Sequence, residues 1–133
     1  MSNSALFAID DPVELLALWR LVAEAKFQPN PEDSDLWGSP YVHVLAQRIS
    51  DALLYHAQSM EDTEAVKRHK SWIASLQTNA VLPTVKLHLK KDAAESWWAE
   101  KSMEEKIAYV KGCIAPFEAD ADFIEGLIHG AEV

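Results

Sequence analysis

The chain almost lacks cysteine, and this excludes two classes of small protein. Cys113 is the only cysteine among 133 residues, so neither an internal disulfide nor a site built from several thiolates is available. We expect Cys113 to be a small buried apolar residue, because no base nearby in the sequence would activate its thiol.

Long hydrophobic runs are also absent. The longest purely apolar stretches are residues 5–9 and 15–19, far shorter than the ~20 residues that a membrane-spanning helix requires. The N-terminal residues lack the basic cluster and the apolar core of a secretory signal. The sequence therefore predicts a protein with no membrane segment and a cytoplasmic location.

Positive charge is scarce. The chain has 12 Lys and Arg against 21 Asp and Glu, and its formal net charge is −9 at pH 7. Nucleic-acid backbones and anionic membranes both bind basic surfaces, so direct binding to either is disfavoured. The charge instead favours another protein that presents a basic surface.

Glycine and proline are few, four and six respectively, and good helix formers fill the stretches between them. A chain of 133 residues has the usual length of one domain. We therefore predict a single helical domain over residues 1–133, all-α in class, arranged as an irregular bundle of five or six helices.

Local signals predict where the first three helices begin. Asp11 followed by proline opens the first helix, residues 12–27, whose very broad apolar arc predicts a central position. Ser39 followed by proline opens a second helix, which runs to about Gln58. A third helix is expected over residues 63–79, antiparallel to the second.

The second half of the chain is harder to assign. Residues 85–90 alternate apolar and polar side chains, so residues 85–89 are a candidate strand whose only obvious partner is residues 5–9. Asp92 is expected to cap a helical stretch that contains Trp97 and Trp98.

Two more helices are predicted near the C-terminus. The first begins with the capping box at Ser102 and ends at Gly112. The last spans about Asp120 to His129 and ends at Gly130.

Three histidines are candidates for chemistry. His56 and His69 fall on the apolar stripes of adjacent helices, which predicts two buried rings near each other. A satisfied core pair is favoured over a metal or proton site, because neither stripe carries a carboxylate or a cysteine. His43 and Asp51 lie on the outward face of the second helix, but about 12 Å apart along its axis, which weakens an acid–base hypothesis.

Known site motifs fail when they are tested residue by residue. The chain has no His-Glu-x-x-His motif, no Glu-x-x-His pair, no glycine loop that cradles phosphate and no Gly-x-Ser-x-Gly elbow. The acidic clusters that start at Asp33 and at Asp120 both lack the glutamate that an EF-hand requires at its twelfth position. No catalytic residue, metal ligand or cofactor is assigned.

The acidic segment of residues 28–40 is the strongest candidate for a binding site. It contains Glu32, Asp33, Asp35 and Trp37, and an aromatic side chain among carboxylates is typical of a protein interface. The alternative is that Leu36 and Trp37 fold back and fasten the loop to the core.

Together these features predict a non-enzymatic acidic protein-binding module, of the inhibitor or immunity type, that covers a basic partner surface. One alternative is a small helical metal- or ligand-binding enzyme that uses His43, His56, His69 and carboxylates. A second alternative, an inhibitor that mimics nucleic acid, follows from the charge alone.

Overall fold

The computed structural model describes residues 5–133, which contain seven α-helices and no β-strand. Helix accounts for 68% of the structure, and the predicted all-α class is confirmed. In chain order the helices are α1 Pro12–Lys26, α2 Pro40–Ser59, α3 Thr63–Ile73, α4 Leu82–Ala93, α5 Ser96–Ala99, α6 Met103–Ile114 and α7 Ala121–Ala131, with a 3-10 turn at Leu76–Thr78 before α4.

The predicted helix starts are confirmed where a cap and a proline, or a capping box, mark them. The Asp11 carboxylate accepts a hydrogen bond from the Val13 amide, and the Ser39 hydroxyl accepts one from the Val42 amide. Ser102 forms a reciprocal capping box at the start of α6. These caps satisfy backbone donors that no helical carbonyl can reach.

The candidate strand at residues 85–89 is not found. This segment lies within α4, and residues 5–9 form no strand. Val85 and Leu89 are both fully buried and are one helical turn apart, so their helical spacing outweighs the apolar–polar alternation. The alternation is misleading because the polar residue between them, His88, is also buried.

Several predicted helix ends are wrong. The third helix stops at Ile73 rather than Asn79, and Asp92 lies inside α4 instead of capping the next helix. Gly112 and Gly130 both lie within helices. Neither has a positive φ angle, so these glycines do not terminate helices in the way that the sequence suggested.

The core lies where α4 and α6 each pack against α7 and against the segments that join the helices. Cys113 is buried there, as predicted. The buried hydrophobic cluster consists of Phe27, Trp37, Leu76, Val85, Leu89, Trp98, Val110, Cys113, Ile114, Phe117, Ile124, Leu127 and Ile128.

α1 is not the central helix that its broad apolar arc predicted. It packs on α2, and its Trp19 meets Trp72 of α3 edge to face. The opposite side of α1 leaves Val13, Leu16 and Leu21 exposed. A helix at the edge of a helical layer can bury one face only, so part of the apolar arc remains uncovered.

Among residues 5–133, no helix combines the length and the apolar character needed to cross a bilayer.

Glycine in α6 allows α2 to approach closely, which predicts opposite effects for two Gly→Ala substitutions. A Cβ atom at Gly112 would lie 2.6 Å from Cδ2 of His43, whereas a Cβ atom at Gly126 would meet nothing within 4 Å. Gly126→Ala should raise the free energy of unfolding by about 0.5–1 kcal/mol through helix propensity.

Gly112→Ala should lower the free energy of unfolding by about 1–2 kcal/mol despite the same gain in propensity. Urea unfolding of both variants measures the difference. Equal stabilisation by the two alanines would show that His43 moves away without cost.

Candidate functional site

The three predicted carboxylates lie together on the surface, in the loop between α1 and α2. Glu32, Asp33 and Asp35 are all exposed. The Asp33 carboxylate accepts a hydrogen bond from the Asp35 amide at 3.0 Å, which gives the loop a local turn. The loop therefore presents its negative charge to solvent.

Trp37 lies in the core instead of on the surface, with only 3% of its area exposed. Its indole Nε1 donates a hydrogen bond to Oδ2 of Asp92 at 2.9 Å. Its ring stacks on His88, with 4.6 Å between the centroids, and meets Phe27 edge to face. This position favours the alternative in which Trp37 fastens the loop to the core.

An open cleft of about 850 Å³ lies between the acidic loop and the segment that runs from α4 to α6. Asp35 and Pro40 line it on the loop side, and Trp97 and Lys101 line it on the opposite side. Its volume falls in the range of clefts that bind small ligands or short peptide segments. The acidic loop thus forms one wall of a concave surface.

The floor of the cleft is a hydrogen-bonded group centred on Asp92. Oδ2 of Asp92 accepts hydrogen bonds from Trp37 and, at 2.8 Å, from the hydroxyl of Tyr109. Burial raises the pKa of the Asp92 carboxyl, although both hydrogen bonds oppose that shift. Asp92 therefore joins the loop, α4 and α6 at one atom.

His88 completes the floor and holds the start of the loop. Its Nε2 lies 2.7 Å from the carbonyl oxygen of Gln28, and since a carbonyl only accepts, this nitrogen carries the proton. Burial lowers the pKa of His88. The neutral ring therefore acts as a donor that positions the loop.

Aromatic side chains rise from the rim of the cleft. Tyr41, at the start of α2, is 82% exposed, and Trp97 of α5 is 37% exposed. Nζ of Lys101 lies 5.7 Å from the Trp97 ring centroid and 5.8 Å from that of Tyr109. Lys101 therefore already packs against these two rings, and the exposed ring of Tyr41 beside the carboxylate of Asp35 is the part of the rim that can attract a partner's cation.

Behind the cleft lies a buried lysine with no carboxylate partner among the described residues. Lys26 has 0% exposure. Its Nζ donates to Nδ1 of His43 at 2.7 Å and to the carbonyl oxygen of Gly112 at 3.1 Å. Burial lowers the pKa of Lys26 to about 8. The amine is also 5.9 Å from the centroid of the Trp37 ring, so it helps to hold the base of the loop.

His43 is the acceptor of this pair. Burial and the charge of Lys26 lower the pKa of His43 to about 4, so the ring is neutral and Nδ1 is free to accept. The prediction that His43 faces outward is wrong, because the ring lies between α1 and α6.

Cys113 and Tyr109 lie in the same region but are held in their protonated forms. Burial raises the pKa of Cys113 to about 12, and it also raises the pKa of Tyr109. A thiol that remains protonated is a poor nucleophile. These residues therefore contribute packing and hydrogen bonds.

The other two predicted histidines do not form the expected pair. His56 is exposed, which contradicts its predicted burial. His69 is half-buried and hydrogen-bonds to the hydroxyl of Ser50 at 2.8 Å, and burial lowers its pKa. The buried side of α2 is formed by Ala46, Ile49, Ser50 and Ala57. This side is offset around the helix axis from the predicted apolar stripe, so His56 faces solvent.

Within residues 5–133, no group of three or more His, Cys, Asp and Glu side chains has a geometry that would hold a metal ion.

Sequence reasoning missed Lys26, His88 and Asp92 as parts of this region. Lys26 follows Trp19 by seven residues and Val22 by four, so it continues the apolar face of α1. That placement was the available signal for a buried lysine. Asp92 had no such signal, because its two donors are distant in sequence.

No protein-family model matches the chain, and no curated protein sequence or solved structure is significantly similar to it. The cleft is therefore interpreted from its own chemistry.

The buried Lys26 predicts a specific pH dependence of stability. Its pKa falls from 10.5 in the unfolded chain to about 8 in the folded one, so between these values the unfolded state binds more protons. The contribution of Lys26 to the free energy of unfolding is therefore complete above pH 10.5, the pKa in the unfolded chain, and is lost as the pH falls through about 8, the pKa in the folded protein.

Relative to Lys26→Met, the wild-type protein should therefore gain up to about 3 kcal/mol of unfolding free energy across this window. Urea unfolding at a series of pH values measures the gain. Lys67→Met, at an exposed site on α3, is the control and should leave the pH dependence unchanged. A flat difference for Lys26→Met would mean that the buried amine keeps its ordinary pKa.

Proposed function

We propose that this protein is a non-enzymatic binding module of the inhibitor or immunity type, which acts in the cytoplasm and covers a basic surface of a partner protein. Glu32, Asp33 and Asp35 attract the partner. The cleft beside them receives one of its projecting basic side chains.

The observation that carries this proposal is that all three carboxylates are exposed on a loop whose end, at Trp37, is buried in the core. Trp37 and its hydrogen bond to Asp92 restrict the loop. A loop that is already ordered loses less conformational entropy when it binds. Fixed negative charge also steers a basic partner during encounter.

The rim aromatics take the anchoring role that the sequence assigned to Trp37. Tyr41 and Trp97 are exposed at the cleft, and exposed aromatic side chains next to a concave surface are typical binding hot spots. Trp37 contributes indirectly, through the position of the loop.

The enzyme alternative receives no support from the geometry. His43 bonds to Lys26, His69 bonds to Ser50, and His56 is exposed on α2. An acid–base or metal mechanism would need these side chains to converge on one substrate. The nucleic-acid-mimic alternative depends only on net charge, and competition with nucleic acid for the captured partner would distinguish it.

Neutralising the loop should slow association. The partner is first identified by affinity purification from the native cell, and rate constants are then measured with the purified pair. Glu32→Gln, Asp33→Asn and Asp35→Asn together should lower the association rate constant about tenfold at low salt and less at 0.15 M salt. The dissociation rate should change little.

A matched control removes three other exposed carboxylates with Glu14→Gln, Glu61→Gln and Glu64→Gln. These residues lie at the start of α1 and around the α2–α3 turn. Lys26, at the end of α1, bonds to His43, near the start of α2, so the loop lies at this end of both helices, and the three control residues lie towards their other ends. Equal slowing by both triple variants would show that net charge alone matters. No slowing by the loop variant would move the interface to the acidic segment Glu118 to Glu125.

Tyr41→Ala and Trp37→Ala should separate binding from folding. Tyr41 is exposed, so its truncation should speed dissociation by roughly 30-fold, equivalent to about 2 kcal/mol, and leave the melting temperature unchanged. Trp37→Ala should instead lower the free energy of unfolding by about 3–5 kcal/mol. Rapid dissociation by a fully folded Trp37→Ala variant would contradict this assignment.

A further inference from the structure

The solvent face of α2 carries a stripe of four residues with regular spacing. Val44, Arg48, Asp51 and Tyr55 follow one another at intervals of four, three and four residues. This spacing places them along one side of a helix over three turns. Every member of the α2 stripe is exposed.

The α2 stripe has apolar ends that nothing in the described chain covers. Val44 is 56% exposed and Tyr55 is 72% exposed. Exposed apolar side chains on one face of a helix can anchor a second helix that packs against that face. The buried face of α2, which includes Ala46, Ile49 and Ser50, is already occupied by the rest of the protein.

The centre of the α2 stripe carries one charge of each sign. Arg48 forms no ion pair among residues 5–133. Asp51 accepts one hydrogen bond, from Gln47 on the same helix, and keeps a second carboxylate oxygen. Both charged groups can therefore accept a partner of opposite sign.

The α2 stripe is complementary to itself when two copies run antiparallel. A two-fold axis midway between positions 49 and 50 places Arg48 of each copy opposite Asp51 of the other. The same axis places Val44 opposite Tyr55. Each contact occurs twice, as in any isologous interface.

From this self-complementarity we propose that α2 is a homodimer interface, through which two copies of the chain associate antiparallel along Val44, Arg48, Asp51 and Tyr55. A second copy is favoured over an unrelated partner because the order apolar, basic, acidic, apolar is matched by its own reversal. The net charge of −9 per copy repels a second copy, and the α2 stripe, with one charge of each sign, is a surface on which paired opposite charges locally offset this repulsion.

The extent of the α2 stripe sets the strength of the dimer. Three helical turns span about 16 Å, and their contact area is smaller than the ~800 Å² per partner of a standard stable interface. The dimer should therefore be weak, with a dissociation constant of roughly 1–100 µM. The interface does not include the acidic loop, so this proposal is independent of the proposed binding function.

Two charge-reversal variants, each purified separately, test the antiparallel pairing. Arg48→Glu places like negative charges opposite each other in a homodimer, and Asp51→Arg places like positive charges opposite each other. Either variant alone should dimerise at least about tenfold more weakly than the wild-type protein. Mixing the two variants restores both opposite-charge pairs in a heterodimer.

The mixture should associate to within about threefold of the wild-type affinity when it is measured by sedimentation velocity at 0.15 M salt. Effects within a single helix cannot produce this rescue, because each chain still carries its own altered charge. Arg68→Glu, at an exposed site on α3, is the control and should leave the dimer affinity unchanged. Tyr55→Ser should weaken the dimer while circular dichroism shows an intact fold.

Three outcomes would overturn the proposal. One is a wild-type protein that stays monomeric at roughly 1 mM, which is tenfold above the weakest dissociation constant expected. Another is a mixture that associates no more tightly than its separate components. The third is a dimer whose affinity is unchanged by both charge reversals, which would place the interface on a different surface.

Discussion

The carboxylate of Asp92 holds together parts of the chain that are far apart in sequence. One of its oxygens accepts hydrogen bonds from Trp37 in the loop and from Tyr109 in α6, while Asp92 itself belongs to α4. Removing Asp92 would leave the Trp37 indole and the Tyr109 hydroxyl without this acceptor, and an unsatisfied buried donor costs more than the bond itself contributes. The position of the acidic loop, and with it the shape of the cleft, depends on this junction.

Lys26 shows how the same region tolerates a charge in an unfavourable place. A buried ammonium group is costly, and burial lowers its pKa to about 8. The cost is limited by His43, by the carbonyl of Gly112 and by the faces of Phe27 and Trp37. These contacts also connect α1 to α2 and α6. The two hydrogen bonds of the Lys26 amine, to His43 and to the carbonyl of Gly112, help to set how these three helices are oriented.

The two proposed surfaces use the same long helix in different ways. The first turn of α2 places Tyr41 at the rim of the cleft, where the acidic loop ends. The next three turns present the α2 stripe to solvent. A weak dimer along the stripe would place two acidic loops in one assembly, which raises the effective concentration of the second site for a partner with two basic patches.

The sequence by itself determined the helical class, the starts of the capped helices and the exposed acidic loop. Asp11, Ser39 and Ser102 cap helices through contacts within three residues, so their signals are local and need no knowledge of the fold. Charged residues such as Glu32 remain in water wherever the loop lies, because burial without a partner is too costly.

Only the tertiary structure decided which face of each helix is buried. For Trp37 the local pattern left a surface and a core position both open, for Lys26 no environment was predicted, and for His56 the predicted environment was wrong. Trp37 is buried because Asp92, 55 residues later, supplies an acceptor. Lys26 is buried because Gly112, 86 residues later, allows α2 and α6 to close around it. His56 is exposed because α3 packs on a rotated face of α2. Such outcomes depend on contacts between residues distant in sequence, and helical periodicity carries no information about them.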